Sequence, residues 1–314
     1  MTNDDLAKYM DTSDEWIQER TGIKERRYAT KHKETTTTMG ARAAEKAIAD
    51  AGISKEDVDF IIFATLSPDY FFPGCGVLVQ RELGITDVEV GALDIRNQCS
   101  GFIYGLSVAD QFVKTGMYKN VLLIGAEMHS MGLDFNTRGR NVTVIFGDGA
   151  GAVVLQPTED NTKGILTTHL HANGTNAEEL DKDEPGGIYI TQKMLDDNLT
   201  YPHMNGPLVF KTAVQKFPAV INEALKKTGY KSTDLDMLIP HQANLRISQF
   251  VQRMLGLSDD QVFNNIDKYG NTTAASIPIA LSEARDLGKV KEGDLVCLAA
   301  FGSGFTWGSA LIRW

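Results

Sequence analysis

Hydrophobic positions along the chain fall into two alternating patterns. Short apolar runs, Phe60 to Ala64, Val121 to Gly125 and Leu295 to Ala300, fit strands buried on both faces. Between such runs lie amphipathic stretches. In the clearest, Phe102, Leu106, Ala109 and Val113 recur at i, i+4, i+7 and i+11, which predicts a helix closed by Gly116. The polar stretch from Ala177 to Pro207 breaks this rhythm and reads as an inserted loop or lid.

The pattern repeats with a long period. Ala47 to Ile53, continuing through Asp57 to Ile62, aligns without a gap on Ala224 to Tyr230 and Asp234 to Ile239, with Gly52 and Gly229 in register. Each copy reads as a helix end, a glycine stop, a polar turn and an apolar strand. Leu83-Gly84-Ile85-Thr86-Asp87 echoes Leu255-Gly256-Leu257-Ser258-Asp259, and the same spacing carries Cys99 onto Asn271 and Gly116 onto Gly288. Phe146-Gly147-Asp148-Gly149 echoes Phe301-Gly302-Ser303-Gly304. Three echoes in one order indicate a duplication, with residues 1–160 and 161–314 as two α/β halves packed in layers.

Composition narrows the function. With 42% hydrophobic and 23% charged residues the chain reads as a soluble globular protein, and a net charge of −10 argues against nucleic acid as a partner. No apolar run approaches the roughly 18 residues that span a bilayer. The start, Met1-Thr2-Asn3-Asp4-Asp5, lacks the basic and apolar regions of a signal peptide. Three cysteines, Cys75, Cys99 and Cys297, are widely spaced with no metal-ligand pattern, so neither a disulfide framework nor a zinc site is expected. These features predict a cytoplasmic protein with reduced thiols.

Candidate chemistry gathers at three turns. His241 follows the apolar run Met237 to Pro240, at the carboxyl end of a strand, where open α/β sheets bind ligands. Cys99 precedes the helix that starts near Gly101; the positive end of that helix is expected to lower the thiol pKa. Asn271 occupies the corresponding turn of the second half. Each has a plainer reading: a thiol as a small hydrophobe, which is retained for Cys75 and Cys297, a hydrogen-bonded histidine, and an asparagine in a turn.

The motifs around these residues carry a resemblance. Asp94-Ile95-Arg96-Asn97-Gln98-Cys99-Ser100-Gly101-Phe102, Pro240-His241-Gln242-Ala243-Asn244, Tyr269-Gly270-Asn271-Thr272-Thr273-Ala274-Ala275-Ser276 and Gly302-Ser303-Gly304-Phe305-Thr306-Trp307-Gly308 resemble the β-ketoacyl-ACP synthase III family of the thiolase superfamily. Asp11-Thr12-Ser13-Asp14-Glu15-Trp16-Ile17, Arg20-Thr21-Gly22-Ile23 and Phe146 to Ala152 do so as well, in order from Thr2 to Trp314.

The resemblance implies a duplicated thiolase-like α/β fold, with two mixed five-stranded sheets in an αβαβα arrangement. It implies a decarboxylative condensation: Cys99 takes an acyl group from acyl-CoA, and malonyl-ACP supplies the carbanion. His241 and Asn271 match the pair that stabilises the enolate, and the backbone N–H groups of Cys99 and Ser303 match the oxyanion hole. Trp16, Arg20 and Arg140 match residues at the CoA adenine; Gly206, Phe210 and Asn244 match the pantetheine tunnel. Phe72 matches an acyl-pocket gate contributed across a homodimer. Lys211, Arg246 and Arg253 match a basic patch for acyl carrier protein. No metal and no cofactor beyond the substrates is implied.

Four departures stand out. Ser303 replaces a common glycine, Met254 follows Arg253 where a second lysine is frequent, and Arg96 and Gln98 replace small residues before the nucleophile. The apolar strand that usually opens relatives has no counterpart ahead of Thr2, so the first half is expected to lack its first strand. A specialised synthase III-like condensing enzyme or acyltransferase of secondary metabolism, acting on a longer or unusual acyl group, is the alternative. A cysteine hydrolase would need a basic histidine paired to the thiol and lacks its usual sequence context. A nicotinamide site at Gly147-Asp148-Gly149-Ala150-Gly151 fails because that run precedes a strand instead of opening a helix. A non-catalytic partner subunit is disfavoured because all three reactive residues are present.

Overall fold

The computed structural model describes residues 1–182 and 191–314. The first sheet contains β1 (Phe60–Ala64), β2 (Gly91–Ile95), β3 (Val121–Glu127) and β4 (Gly149–Leu155) in the order β2-β1-β3-β4. The first three are parallel and β4 runs antiparallel to β3. After β5 (Gly164–Ala172) a small ladder forms from β6 (Leu180–Asp181) and β7 (His203–Met204), inside the stretch expected to be a loop. Part of that stretch, 183–190, lies outside the described residues. The second sheet adds β8 (Met237–Pro240), β9 (Leu295–Gly302) and β10 (Thr306–Arg313) in the order β5-β10-β9-β8.

Helices α1 (Asn3–Leu6), α2 (Asp14–Thr21), α3 (Thr36–Asp50), α4 (Cys75–Glu82), α5 (Gly101–Lys114) and α6 (Arg140–Thr143) belong to the first half of the chain. Those of the second are α7 (Gln192–Asp196), α8 (Gly206–Thr228), α9 (Leu245–Leu255), α10 (Ile266–Tyr269) and α11 (Ser276–Asp286).

Alternation along the strands sorts side chains into three cores. From β1 and β3, Ile61, Phe63, Leu122 and Ile124 face outward onto α3 and α4. Ile62 and Leu123 face inward and meet Val296, Leu298, Ala310 and Ile312 of the other sheet, with Phe102 and Leu106 of α5 and Ile277 and Leu281 of α11 between them. Leu238, Cys297, Ala299 and Leu311 face the far side, beneath Phe217 and Ile221 of α8 and Val251 of α9. The layers are therefore αβαβα, as the resemblance implies. Both faces of β1, β3, β8 and β9 are covered, which is why those strands are almost uniformly apolar.

The echoes in the sequence recur as matched geometry. Gly52 and Gly229 each end a helix with positive φ, at 68° and 80°, as do Gly84 and Gly256 and then Gly116 and Gly288. Among the described residues each sheet holds four strands where five were expected. In the second, Val262 makes a single parallel bridge to Leu238 where a further strand would extend. In the first, the edge of β4 that answers to β5 beside β10 has no partner among the described residues. The amino-terminal residues pack elsewhere: Leu6, Met10, Ile17 and Ile23 join Val144 and Ile266 in a small cluster between the halves.

Phe63 is fully buried and Phe72 is 81% exposed. Chemical denaturation should therefore separate them. Phe63→Ala is expected to lower unfolding free energy by about 3–5 kcal/mol, and Phe72→Ala to leave it nearly unchanged.

Candidate active site

Cys99 lies in the tight turn Gln98–Ser100 between β2 and α5. Gln98 adopts φ 44°, a left-handed conformation uncommon outside glycine. Its counterpart in the second half, before Asn271, is Gly270 with φ 67°. The Cys99 side chain is buried against the end of β9, where a Cβ on Gly302 would lie 2.5 Å from Cys99 Cβ and 2.9 Å from Sγ. Backbone N–H groups of Ser303 and of Cys99 itself favour the thiolate, though less than burial opposes it. Ser303 is not among the residues with positive φ, so the serine is accommodated, and its hydroxyl donates to Leu180 O.

The expected low thiol pKa is not found. Burial, and after it the Glu127 carboxylate, push Cys99 up to about 12, outweighing the position before a helix. Glu127 closes β3 and is itself pushed up to about 7 by burial. It accepts hydrogen bonds from Thr65 Oγ1 at 3.1 Å, Leu66 N–H at 3.1 Å and Ser67 Oγ at 2.7 Å. In the sequence Glu127 is marked only as a carboxylate ending a run as apolar as Val121 to Ala126.

His241 follows β8 and is fixed by its N–H to Ala299 O at 2.8 Å. Its Nδ1 lies 2.6 Å from Ser276 Oγ, and that hydroxyl accepts from Gln242 N–H at 3.4 Å. When the Ser276 hydroxyl donates to Nδ1 while accepting from Gln242, the ring proton sits on Nε2. Nε2 is buried with no partner. Burial, and then nearby His129, lower the His241 pKa to about 3, so the ring is neutral at physiological pH. Its place at the end of the Tyr269 to Ser276 motif does not mark Ser276 for this role in the sequence.

Asn271 is held by strand-like bonds from the other half. Its N–H donates to Ile145 O at 2.9 Å and its carbonyl accepts from Gly147 N–H at 3.0 Å. Its side-chain Oδ1 accepts from Thr273 N–H at 2.9 Å, which fixes the amide and leaves Nδ2 as the donor not used by the turn. Close packing brings the three residues together. The Cys99 turn packs on β9 and on the Thr273–Ala275 turn, and Ser276, which holds His241, begins the next helix. Gly125 makes room for this: a Cβ there would lie 2.4 Å from Ala274 O.

The remaining predicted residues spread around this centre. The Trp16 ring has the guanidinium carbons of Arg20 and Arg140 at 4.4 and 5.0 Å from its centroid, so those three form one cluster. Asn244 is occupied structurally: its Oδ1 caps α9 through Arg246 N–H, and its Nδ2 donates to Arg20 O at 2.9 Å. Gly206 opens α8, and Phe210 is half-buried against the outer core of the second sheet. Lys211, Arg246 and Arg253 are exposed on α8 and α9, and none belongs to an ion pair among the described residues. Phe72 sits with exposed Tyr70 and Phe71. A cavity of about 530 Å³ lined by Asp134, Arg138, Leu199, Tyr201 and Met204 includes none of the three central residues.

A duplicated αβαβα fold with a buried cysteine, a neutral histidine and an oriented asparagine at its centre defines a thiolase-like condensing enzyme. Residues 93–174 match the family model for 3-oxoacyl-[acyl-carrier-protein (ACP)] synthase III, and residues 225–314 match the model for its C-terminal part. The β-ketoacyl-[acyl-carrier-protein] synthase III of Aquifex aeolicus is 48% identical over 314 residues, covering 100% of this chain and 95% of that protein. That of Caldanaerobacter subterraneus subsp. tengcongensis is 46% identical over 315 residues, covering 100% and 93%. The crystal structure of the Aquifex aeolicus enzyme superposes with a TM-score of 0.91 at 47% identity, covering 100% of this chain and 95% of that one. The chain belongs to the β-ketoacyl-[acyl-carrier-protein] synthase III family, and is an acyl-transferring condensing enzyme.

Two outcomes follow from the geometry. Relieving the clash in Gly302→Ala requires a shift of about 1 Å at Cys99, so steady-state assays should show roughly a 100-fold loss of activity. A thiol held near 12 is protonated at neutral pH. Alkylation of Cys99 by iodoacetamide should therefore climb roughly tenfold per pH unit from 7 to 10, without a plateau near neutrality.

Proposed function

We propose that this enzyme joins an acyl-CoA primer to malonyl-ACP through an acyl-Cys99 intermediate, giving a β-ketoacyl-ACP that initiates fatty-acid synthesis. The observation that carries this reading is a buried Cys99 packed with a buried, unpartnered His241 Nε2 and an Asn271 amide whose Oδ1 is held by Thr273 N–H. With the ring proton on Nε2, His241 and Asn271 offer two uncharged donors.

In the first step the Cys99 sulfur attacks the acyl carbonyl. The oxyanion is held by the N–H groups of Cys99 and Ser303. The new C–S bond forms as the bond to CoA breaks, and the thiol proton is balanced by protonation of the departing CoA sulfur. In the second step the malonyl carboxylate leaves as carbon dioxide. Its bonding pair moves into an enolate whose oxygen receives hydrogen bonds from His241 and Asn271. The enolate carbon then attacks the acyl-Cys99 carbonyl, and collapse of the tetrahedral intermediate returns Cys99 as thiolate, which takes a proton from water. A neutral histidine suits this step, because stabilising an enolate needs a fixed donor and no proton acceptor. It counts against a cysteine hydrolase, which needs a basic imidazole to take the thiol proton.

The surroundings support the same reading. The Trp16–Arg20–Arg140 cluster offers an aromatic face and fixed positive charge for the nucleotide end of CoA. Lys211, Arg246 and Arg253 offer unpaired positive charge to an acidic carrier protein on a chain of net charge −10. The outer edge of β2 is unpaired among the described residues and lies in the same half as exposed Leu93, Tyr70, Phe71 and Phe72, which suits a homodimer that adds Phe72 to the partner's acyl pocket. The chain divides near residue 160 into its duplicated halves. No described helix is long and apolar enough to cross a membrane, and a cytoplasmic location follows from the partners proposed.

Intact-protein mass spectrometry after mixing with acetyl-, branched- and medium-chain acyl-CoAs tests the first step. A stable adduct absent from Cys99→Ala is expected, and no adduct across the set would overturn the proposal. For the second step, His241→Ala and Asn271→Ala should still acylate but lose roughly 100-fold or more in decarboxylation of malonyl-ACP.

A further inference from the structure

The most informative unassigned side chain is His129, in the short turn His129–Met131 that follows β3. It lies next to the proposed centre without belonging to it. Its Nε2 is 2.6 Å from Thr273 Oγ1, and its ring packs on Phe146 with centroids 4.6 Å apart. Thr273 has φ 50°, and a β-branched residue is a true outlier there. The N–H of that same residue holds Asn271 Oδ1.

These contacts close a ring. The His129 turn is anchored by Asp148, which accepts from Ser130 N–H at 2.9 Å and from Ser130 Oγ. Asp148 adjoins Gly147, whose N–H binds Asn271 O. Asn271 Oδ1 binds Thr273 N–H, and the Thr273 hydroxyl returns to His129. The strained residue is thus held twice, by His129 at its hydroxyl and by Asn271 Oδ1 at its N–H.

We propose that His129 is a positioning residue for the condensation step, holding the strained Thr273 turn so that Asn271 presents Nδ2 to the enolate oxygen. The proposal rests on the role given to Asn271 above. The physical need is specific. A side-chain amide that turns over exchanges a donor for an acceptor, and an acceptor facing an enolate oxygen repels the charge it should stabilise. Thr273 N–H blocks that rotation only while the backbone stays left-handed. His129 is suited to the task because burial keeps it neutral: its pKa is lowered to about 3, with Lys182 adding to the effect. A neutral ring bonds a hydroxyl without placing a charge beside His241. The competing account makes His129 a packing partner of Phe146 only.

The test uses the purified full-length chain with His129→Leu, His129→Gln, Thr273→Val and the double variant His129→Leu/Thr273→Val. Cys99 acylation by acyl-CoA and malonyl-ACP decarboxylation are measured separately, with thermal melting to verify folding. The proposal expects His129→Leu and Thr273→Val to acylate normally and to keep KM for malonyl-ACP within about twofold. Their decarboxylation kcat should fall roughly 10- to 100-fold, less than for removing a donor outright. The double variant should be no worse than either single change, because both break one bond. His129→Gln, which keeps a hydrogen-bonding end, should recover most of kcat.

Equal losses in acylation and decarboxylation, additive losses in the double variant, or full kcat in His129→Leu would each overturn it. Asn271→Ala separates the two levels. If that change leaves decarboxylation intact, the role of Asn271 fails and this inference with it. If Asn271→Ala is impaired while the His129 variants are normal, only the inference about His129 fails.

Discussion

The centre of the molecule depends on a reciprocal close approach between its halves. The turn of the second half at Gly302 presses on Cys99 of the first, and the matching turn of the first half at Gly147 presses on the segment carrying Asn271. At Gly147 a Cβ would lie 2.2 Å from Tyr269 O, and at Gly302 2.5 Å from Cys99 Cβ. Neither position tolerates a side chain, because each is where one half clasps the reactive turn of the other. Duplication makes this arrangement economical to encode. One turn sequence, phenylalanine-glycine-x-glycine, serves twice, and the pseudo-twofold places each copy against the opposite reactive residue.

Desolvation then sets the chemistry of what the clasp encloses. Cys99, His241 and Glu127 are all driven toward their uncharged forms. A site built of neutral groups and aimed N–H donors does not favour charge at rest. It favours charge where it develops, on a thioester oxygen or an enolate, because donors fixed in a dry cavity need not reorganise. In the proposed mechanism a thiol with no depressed pKa can then carry the acyl group, because the stabilisation is directed at the oxyanion formed after attack more than at a resting thiolate.

Much of this was legible in the chain. The uniformly apolar β1, β3 and β9 announced strands covered on both faces, and paired glycine stops such as Gly52 and Gly229 announced the duplication. Cys99, His241 and Asn271 were marked by their places at strand ends and helix starts. The motifs around them identified the family, and the matches along the chain agree. Less legible were the elements whose form depends on neighbours. Val262 makes one bridge in place of a strand, and the small ladder β6–β7 sits in a segment whose polarity suggested only a loop. Short pairings of this kind are fixed by what they pack against, and local periodicity does not carry them.

The sequence by itself determined the central strands and helices, their order, the repeat and the identities of the three central residues, because these follow from local periodicity, glycine stops and motif spacing. Tertiary structure decided the protonation states and the supporting contacts. It raised the Cys99 thiol where helix position alone argued for lowering it, and it engaged the Asn244 amide in capping α9 and tying α2 to it. It also brought Glu127, Ser276 and His129 to the centre. The physical reason is common to all of these. Desolvation and hydrogen-bond partnership are properties of what surrounds a side chain, and here the surroundings come from residues dozens to more than two hundred positions away in the chain.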